Sequence, residues 1–519
     1  MDIGDKLNKA EAFLYKNHPV MWLASKHHKT HKNEMLDFVN YPYLRHIYLD
    51  ENEKDIMKST QSGLTEWLIV LAFSLAMNNK QIFYTLPTIE LVNRFVKNRF
   101  DKSIEHSNFY EQVLNSGLDK ASDAVSLKHI MNGAIAFTGS NSTVGFTEYP
   151  ADILIVDEED ECDLRNLEMA VERLSNSDDR REFRVANPTI LKYGIHGRWL
   201  KSSQSLWNIK ADCGHRIQPD PFKHLLRQVD EHEYIIRDEK FDWDSGQDIN
   251  LICHECGKPV HRRGPGEWVP TFKGKKEGLQ INKLFSTKVT LREIVERFDK
   301  GLTNETVLQR CYNGDFGLPY TAEGSNVTTS SLDKCIEDFF MTESYTDSVC
   351  VLGCDVGTML HVKISSITPE GKLRARFIGA IQTEEEFNGL FKRFNILAGV
   401  IDAMPEQRMS KRLVAKHKGL FRCFYGEGKE DIVTMETKTI TVHRTSALDN
   451  VKESILLKNT LLPKNIADIP EYYDHMTAST RVYDEKKEKY NWVETGPDHF
   501  FHASGYEMIA KNLLMRLAS

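Results

Sequence analysis

The residues Asp157 and Glu158 close the apolar run Ile153, Leu154, Ile155, Val156 with two adjacent carboxylates. At the C-terminal edge of a parallel sheet, where open α/β folds bind ligands, such a pair suits nucleotide hydrolysis: the aspartate holds the shell of a Mg²⁺ ion and the glutamate polarises the attacking water. A strand running into a solvated acidic helix start has the same pattern, because carboxylates are favoured at helix N-termini. The stretch "MKSTQSGLTEW" (57–67) weighs against that alternative. It has the form of a phosphate-binding loop built from Ser59, Gln61, Ser62 and Gly63, whose backbone N–H groups cradle phosphates while Thr65 reaches the ion. Leu64 stands where such a loop usually has its lysine, so the cation falls to Lys58, five residues before Gly63. Further on, "RVANPTILKYGIHGRW" reads as a strand ending in Asn187, Pro188 and Thr189, small polar residues of the kind that sense a γ-phosphate at a strand end.

A second set of acids lies in the last third: Asp355 in "GCDVGT", Asp402 in "VIDAMPEQ" and Asp498 in "GPDHFFHASGYEMIAKNLL". Two-metal phosphodiester cleavage needs three or four carboxylates around two divalent ions about 4 Å apart. All-oxygen ligation points to Mg²⁺ or Mn²⁺. His502 follows Asp498 by one helical turn on the same face and is the secondary candidate ligand. Taken singly, Asp355 before Val-Gly also suits a turn and Asp498 after Gly-Pro a helix cap. Lys411, Arg412, Lys416, Lys418, Lys438 and Arg444 lie between these acids, a pattern shared by phosphate-tracking surfaces and solvated helix faces.

A third cluster is of the metal-ligating type. Cys253 and Cys256 form a CxxC followed by Gly-Lys-Pro, the turn of a zinc knuckle, and Cys213 and His215 supply a CxH half-site upstream. Cys213 is the stronger ligand of that half, with His254 or His261 as substitutes for His215. Free cysteines in a surface insertion are the other reading. A closed structural site has no open coordination position and no catalysis.

These groups need elements to hold them. From about 55 to 190 short apolar strands alternate with helical segments, the pattern of a parallel sheet with helices on both faces. "WLIVLAFSLAM" (67–77) is too short to span a bilayer and reads as a buried helix. In the last third, "VCVLGCDVGT", "HVKISSIT" and "LRARFIGAI" are three strands at hairpin spacing, followed by the helical "TEEEFNGLFKRF" and the strand "AGVIDA". That order opens an RNase H-like fold, with Asp355 and Asp402 meeting on adjacent strands. The expected domains are therefore an ATPase sheet over 1–205, a zinc-knuckle insertion over 206–270, a turn-rich connector over 271–345 and an RNase H-like nuclease domain over 346–519. A chain of 519 residues accommodates several cores. The near balance of 67 basic and 75 acidic residues leaves no global positive field, so any nucleic-acid contact needs a local patch. Nine cysteines, an odd number, suit reduced thiols and a metal in a cytosolic setting rather than a disulfide framework. The segment "MDIGDKLNKAEAF" lacks the basic start and apolar core of a secretion signal.

The order "KSTQSGLTE", "LPT", "FTGSNS", "LIVDEED", "VANPT" and "YNGDFGLPY" resembles the large terminase subunit of tailed bacteriophages, in the branch whose phosphate loop carries its lysine early. The resemblance implies a P-loop ATPase of the helicase/RecA-like kind that drives double-stranded DNA into a procapsid, and a nuclease that cuts concatemers. It implies ATP, Mg²⁺ or Mn²⁺, and structural Zn²⁺ as cofactors. A portal ring, a small terminase subunit and a homo-oligomeric ring of about five copies are the implied partners, in the host cell cytoplasm and with no membrane. It also implies an adenine pocket in "YPYLRHIYLD" (41–50) and an arginine acting on the phosphates, for which Arg173, Arg180, Arg181 and Arg184 are available. A repair or restriction helicase-nuclease, or a DNA-binding scaffold that no longer hydrolyses ATP, would share many of these features.

Overall fold

The computed structural model describes residues 8–115, 126–147, 149–230, 233–286, 288–322, 324–426, 428, 431–484 and 489–518. The chain divides into two compact units, Met1–Tyr320 and Thr321–Ser519.

The first unit is organised by one large sheet. Its strands are β1 (Lys54–Lys58), β2 (Gln81–Leu86), β3 (Leu127–Ile130), β4 (Gly133–Gly139), β5 (Ile153–Asp157), β6 (Arg181–Ala186), β7 (Ser205–Lys210) and β8 (Arg216–Ile217), then β13 (Gly266–Val269) and β14 (Glu277–Ile281). Between them lie the short ribbons β9 (Leu226–Asp230) with β10 (Glu233–Ile236), and β11 (Leu251–Ile252) with β12 (Pro259–Val260). The order is β13-β7-β14-β1-β6-β5-β2-β4-β3, with β8 beside β7. All pairings from β7 through β4 are parallel, and antiparallel strands close both edges. Strands β1, β4 and β5 are buried along their whole length, as parallel strands covered on both faces are, and the three charged residues of β1, Lys54, Asp55 and Lys58, are each ion-paired. The helix Leu64–Met77 is buried on nearly every side, which accounts for its apolar residues running all the way round rather than in a stripe.

One topological fact positions the chemistry. β6 lies between β1 and β5, so the C-terminal ends of all three, at Lys58, Ala186 and Asp157, line up along one edge of the sheet.

The sheet also crosses the boundaries expected from sequence. β7, β8 and β13 come from the expected knuckle insertion, and β14, from the expected connector, pairs directly with β1. The segment up to Tyr320 likewise belongs to the first unit. Gly317 shows how tightly it is seated: its backbone is left-handed (φ +58°), and a Cβ there would sit 2.4 Å from the Ile281 carbonyl oxygen and 2.9 Å from the Ser59 nitrogen. Contiguous turn-rich sequence looked like a linker because a single short parallel strand inserted between distant partners carries no local periodicity of its own.

The second unit has β15 (Tyr345–Val356), β16 (Leu360–Ile367), β17 (Leu373–Ile381), β18 (Phe394–Asp402), β19 (Leu420–Gly426), β20 (Ile432–Thr434), β21 (Thr439–His443) and β22 (Thr460–Leu461) in one sheet, ordered β20-β21-β19-β18-β15-β16-β17-β22. β23 (Ser479–Asp484) and β24 (Lys489–Glu494) form a separate hairpin. β15, β16 and β17 are antiparallel neighbours, and the chain returns through the helix Glu384–Arg393 to place β18 parallel to β15. The helix His499–Ala518 lies on β15. Their approach depends on Gly353, where a Cβ would stand 2.0 Å from the Ala503 carbonyl oxygen and 2.2 Å from the Glu507 nitrogen. Beside this contact, Lys363 Nζ and Glu507 Oε2 pair at 3.0 Å, both essentially buried.

Candidate active sites

In the first unit, the ends of β1, β5 and β6 meet in one polar cluster. Lys58 ends β1 and is 5% exposed, and its Nζ donates to Glu158 Oε1 at 2.7 Å and to Asn187 Oδ1 at 2.9 Å. Charge-assisted bonds of this length are the stronger kind. Thr65 Oγ1 and the Tyr84 hydroxyl donate to Asp157 Oδ2 at 3.1 and 3.3 Å. Glu158 is in the left-handed region at φ +65°, which turns the chain after β5 and separates the two acids: Asp157 goes to Thr65 and Tyr84, Glu158 to Lys58. Burial first, then the adjacent Glu158, push the Asp157 carboxyl above its ordinary range, while Lys58 pulls it back.

The loop after Lys58 is anchored from both ends. Ser59 N donates to the Ile281 carbonyl at 2.8 Å and Thr60 N to the Gly314 carbonyl at 2.9 Å. Tyr43 OH donates to the Ser62 carbonyl at 2.9 Å, from a segment whose Tyr43, Leu44, Ile47 and Tyr48 are all buried. Gln61 and Gly63 have positive φ, at 59° and 83°, the left-handed conformation that recurs in anion-binding nests. Leu64 is 1% exposed in the core and offers nothing to a phosphate.

A divalent ion is tested by the donor set. Asp157 Oδ1 is buried with no hydrogen-bond partner among the described residues, and Thr65 Oγ1 shares the other oxygen of the same carboxylate. Hard oxygen donors with one orphaned lone-pair set fit Mg²⁺. A cleft of about 430 Å³ lies close by but is lined by Glu159, Arg184, Gly194 and Arg198, and its lining includes none of Lys58, Thr65, Asp157 and Glu158.

Sequence reasoning missed the brace behind this cluster. Asp160, 8% exposed, accepts from Thr189 N and Oγ1, both at 2.8 Å, and from Ile195 N at 2.7 Å, which holds the Asn187–Thr189 turn. Asn187 Nδ2 reaches the Asn313 carbonyl, and Asn313 Nδ2 returns to the Thr189 carbonyl at 2.9 Å. Asn313 sits in the wide helical turn Cys311–Phe316, where Asp315 is clamped by Lys283 and Arg297, each at 2.8 Å. Of the candidate arginines, Arg184 is fully buried and paired with Glu159 and Glu182, and Arg181 binds Asp179 and the Glu51 carbonyl; Arg173 and Arg180 are exposed.

In the second unit, parallel pairing of β15 with β18 sets Asp355 and Asp402 side by side. Burial first, then Asp355, raise the Asp402 carboxyl to about 6. Asp498 is buried and accepts from Ser479 Oγ at 2.6 Å; burial works to raise it, but His502 and Ser479 outweigh that and hold it below its ordinary value. His502 has both nitrogens engaged, Nδ1 with the Tyr425 hydroxyl at 2.9 Å and Nε2 3.4 Å from Asp498 Oδ2 and from Arg444. The histidine that contacts Asp355 is His499, through Nδ1 to Oδ2 at 2.9 Å. Nothing in the sequence spacing singled it out. Of the basic residues, Lys411, Lys416 and Lys418 are exposed, Arg412 pairs with Glu384, and Lys438 donates to the Val414 and His417 carbonyls.

Three cysteines of the first unit converge. The sulfurs of Cys213, Cys253 and Cys256 all lie within 4.8 Å of one another, and Cys213 Sγ to Cys253 Sγ is 3.8 Å. A tetrahedral zinc with bonds of about 2.3 Å has sulfur–sulfur edges of about 3.8 Å, so these thiols fit the ion. His215 stands apart from them, grouped instead with His254 and Glu255.

Residues 32–268 match the family model of the phage terminase large subunit gpA, ATPase domain. No curated protein sequence matches the chain. Among solved structures, the large terminase of bacteriophage HK97 is similar over 94% of this chain and 98% of its own, with 8% identity and a TM-score of 0.54, a likeness of fold. The large terminase ATPase domain of Thermus phage P74-26 overlaps 55% of this chain and 96% of its own, with 11% identity and a TM-score of 0.32. Among the described residues no helix is long and apolar enough to cross a membrane.

Proposed function

We propose, from the match of residues 32–268 to the ATPase domain of the phage terminase large subunit gpA, that this chain is a DNA-packaging motor that hydrolyses ATP to move double-stranded DNA into a procapsid and cuts concatemers with its second unit. The observation that carries the reading is Lys58 Nζ, held between Glu158 Oε1 and Asn187 Oδ1 on three neighbouring strands. An ammonium so placed is a movable latch. An incoming γ-phosphate competes for it with two oxygen acceptors, and its transfer to the phosphate releases both.

Released Glu158 orients the attacking water and accepts its proton, while the loop N–H groups from Ser59 to Gly63 hold the phosphates. Asn187, freed at the same moment, is the group through which the phosphate is sensed, and the Asp160 and Asn313 bonds carry that change into the 189–195 turn. Asp157 and Thr65 would hold Mg²⁺, and Asp355, Asp402 and Asp498, with His502 beside Asp498, would hold the nuclease ions. Such ions supply charge neutralisation at phosphates and a more acidic bound water. Cys213, Cys253 and Cys256 would take a structural zinc. Double-stranded DNA, a portal ring, a small terminase subunit, a ring of copies of this chain and the host cytoplasm complete the proposal.

The test uses the full chain and two variants. Glu158→Ala should remove ATP hydrolysis and leave DNA cleavage by Mn²⁺-loaded protein intact; Asp355→Ala should do the reverse. If Glu158→Ala hydrolyses ATP at the wild-type rate the motor assignment is wrong, and if Asp355→Ala still cuts, the nuclease assignment is wrong. DNA-stimulated ATPase with no affinity for a portal ring would favour a repair enzyme.

A further inference from the structure

Asp355 faces a group of imidazoles that the three-carboxylate scheme does not use. His361 lies directly across the β15–β16 ladder from it, so the two side chains share a face of the sheet. His499 comes down on the same face from the helix His499–Ala518, with Nδ1 2.9 Å from Asp355 Oδ2. The rings of His361 and His499 stack at 4.4 Å, and one ligand atom from each of Asp355, His361 and His499 falls within a 4.8 Å cluster. His475 walls the group, its ring 5.2 Å from both.

Two features mark this as a site rather than a packed corner. His361 and His475 are 6% and 3% exposed, and Nδ1 of each is buried with no hydrogen-bond partner among the described residues. A buried polar atom left without a partner costs about 1–3 kcal/mol, so the orphaned nitrogen of His361, a member of the cluster, calls for a ligand. The spacing also suits an ion: two bonds of about 2.1 Å at a right angle subtend about 3.0 Å, close to the Nδ1 to Oδ2 distance.

We propose that Asp355, His361 and His499 form a mixed nitrogen–oxygen site for a divalent transition-metal ion. Imidazole nitrogen is a ligand these ions accept and Mg²⁺ largely refuses. The proposal rests on reading Asp355 as a metal-binding carboxylate. It adds that the metal on its His499 side is nitrogen-ligated.

The experiment uses the full chain, stripped with chelator and loaded with Mn²⁺, a probe that thiolates bind weakly. Pulsed electron paramagnetic resonance reads imidazole nitrogen coupled to the manganese. Wild-type protein should show that coupling, and Mn²⁺ should bind at least about tenfold more weakly to His361→Gln and to His499→Gln. The wild-type spectrum decides the matter even if a variant folds poorly. Bound manganese without nitrogen coupling, or coupling that survives both substitutions, overturns the mixed site and leaves the carboxylate nuclease reading standing. Failure to bind Mn²⁺ at all overturns both.

Discussion

Lys58→Ala and Leu64→Ala form a paired test of where the phosphate-loop cation resides. Lys58 Nζ makes two charge-assisted bonds at 2.7 and 2.9 Å, but its partner Glu158 is 35% exposed at the side chain. Breaking a fully buried pair costs about 3–5 kcal/mol. With Glu158 in contact with water, solvent screening reduces the expected loss to about 1–2 kcal/mol. The effect on turnover is larger, because removing one preorganised donor to developing charge costs about 10²–10³ in kcat, or about 2.7–4 kcal/mol of barrier. Leu64 is the mirror case. It is 1% exposed in the main core, so truncation should cost about 2–5 kcal/mol of stability while leaving kcat within a few-fold. Phosphate release under saturating Mg²⁺-ATP and urea unfolding of both variants separate the two. A Lys58→Ala protein that turns over within threefold of wild type would falsify the assignment of Lys58 as the loop's cation.

Other consequences follow from the same geometry. Asp160→Asn presents an amide N–H₂ to a site lined by three donors and should cost about 1–3 kcal/mol in denaturant unfolding, with slower ATP turnover as the Asn187–Thr189 turn loosens. Asp402, raised to about 6, takes up a proton on folding, so its contribution to stability is present at low pH and declines as the pH climbs from about 4 through 6. In chelator, the melting temperature of Asp402→Asn relative to wild type should therefore rise across that window; a constant offset would refute the raised carboxyl. Purified wild-type protein should carry about one zinc per chain by elemental analysis, and Cys256→Ser should lose it while retaining ATPase activity. Gly353→Ala places a methyl 2.0 Å from the Ala503 carbonyl and should cost about 1–3 kcal/mol while abolishing cleavage through displacement of the late helix.

The parts that could be read from sequence were those in which chemistry and local pattern coincide. An apolar strand that ends in Asp157 and Glu158 signals within six residues both its burial and the edge at which its carboxylates emerge, and Asp355 and Asp402 stand near the ends of strands with clear periodicity. Lys58 drew attention because Leu64 stands at the usual lysine position, and the structure places its ammonium against Glu158 and Asn187. The rest depended on long-range pairing. β14 looked like linker because its partner β1 is more than 200 residues away, and Asn313 reaches Thr189 across 124 positions. His361, His475 and His499 each stand alone in sequence, and only the antiparallel register and a docked helix bring them together. Asp160 was hidden for the opposite reason: lying within an acidic run, it looked solvated, yet it is buried.

The seating of the late helix on Gly353 also orders events in time. His499 is 144 residues downstream of Asp355, and both strand acids are synthesised before any group that completes their surroundings. At about 5–20 residues per second, Asp355 and its sheet wait roughly 7–30 s for Asp498 and His499 to emerge. During that interval the nascent chain has the Lys58–Gly63 loop and the Asp157–Glu158 pair complete, while Asp355 and Asp402 still lack the helix that covers them. A ribosome-bound chain therefore has every residue of its first polar cluster available well before those of its second.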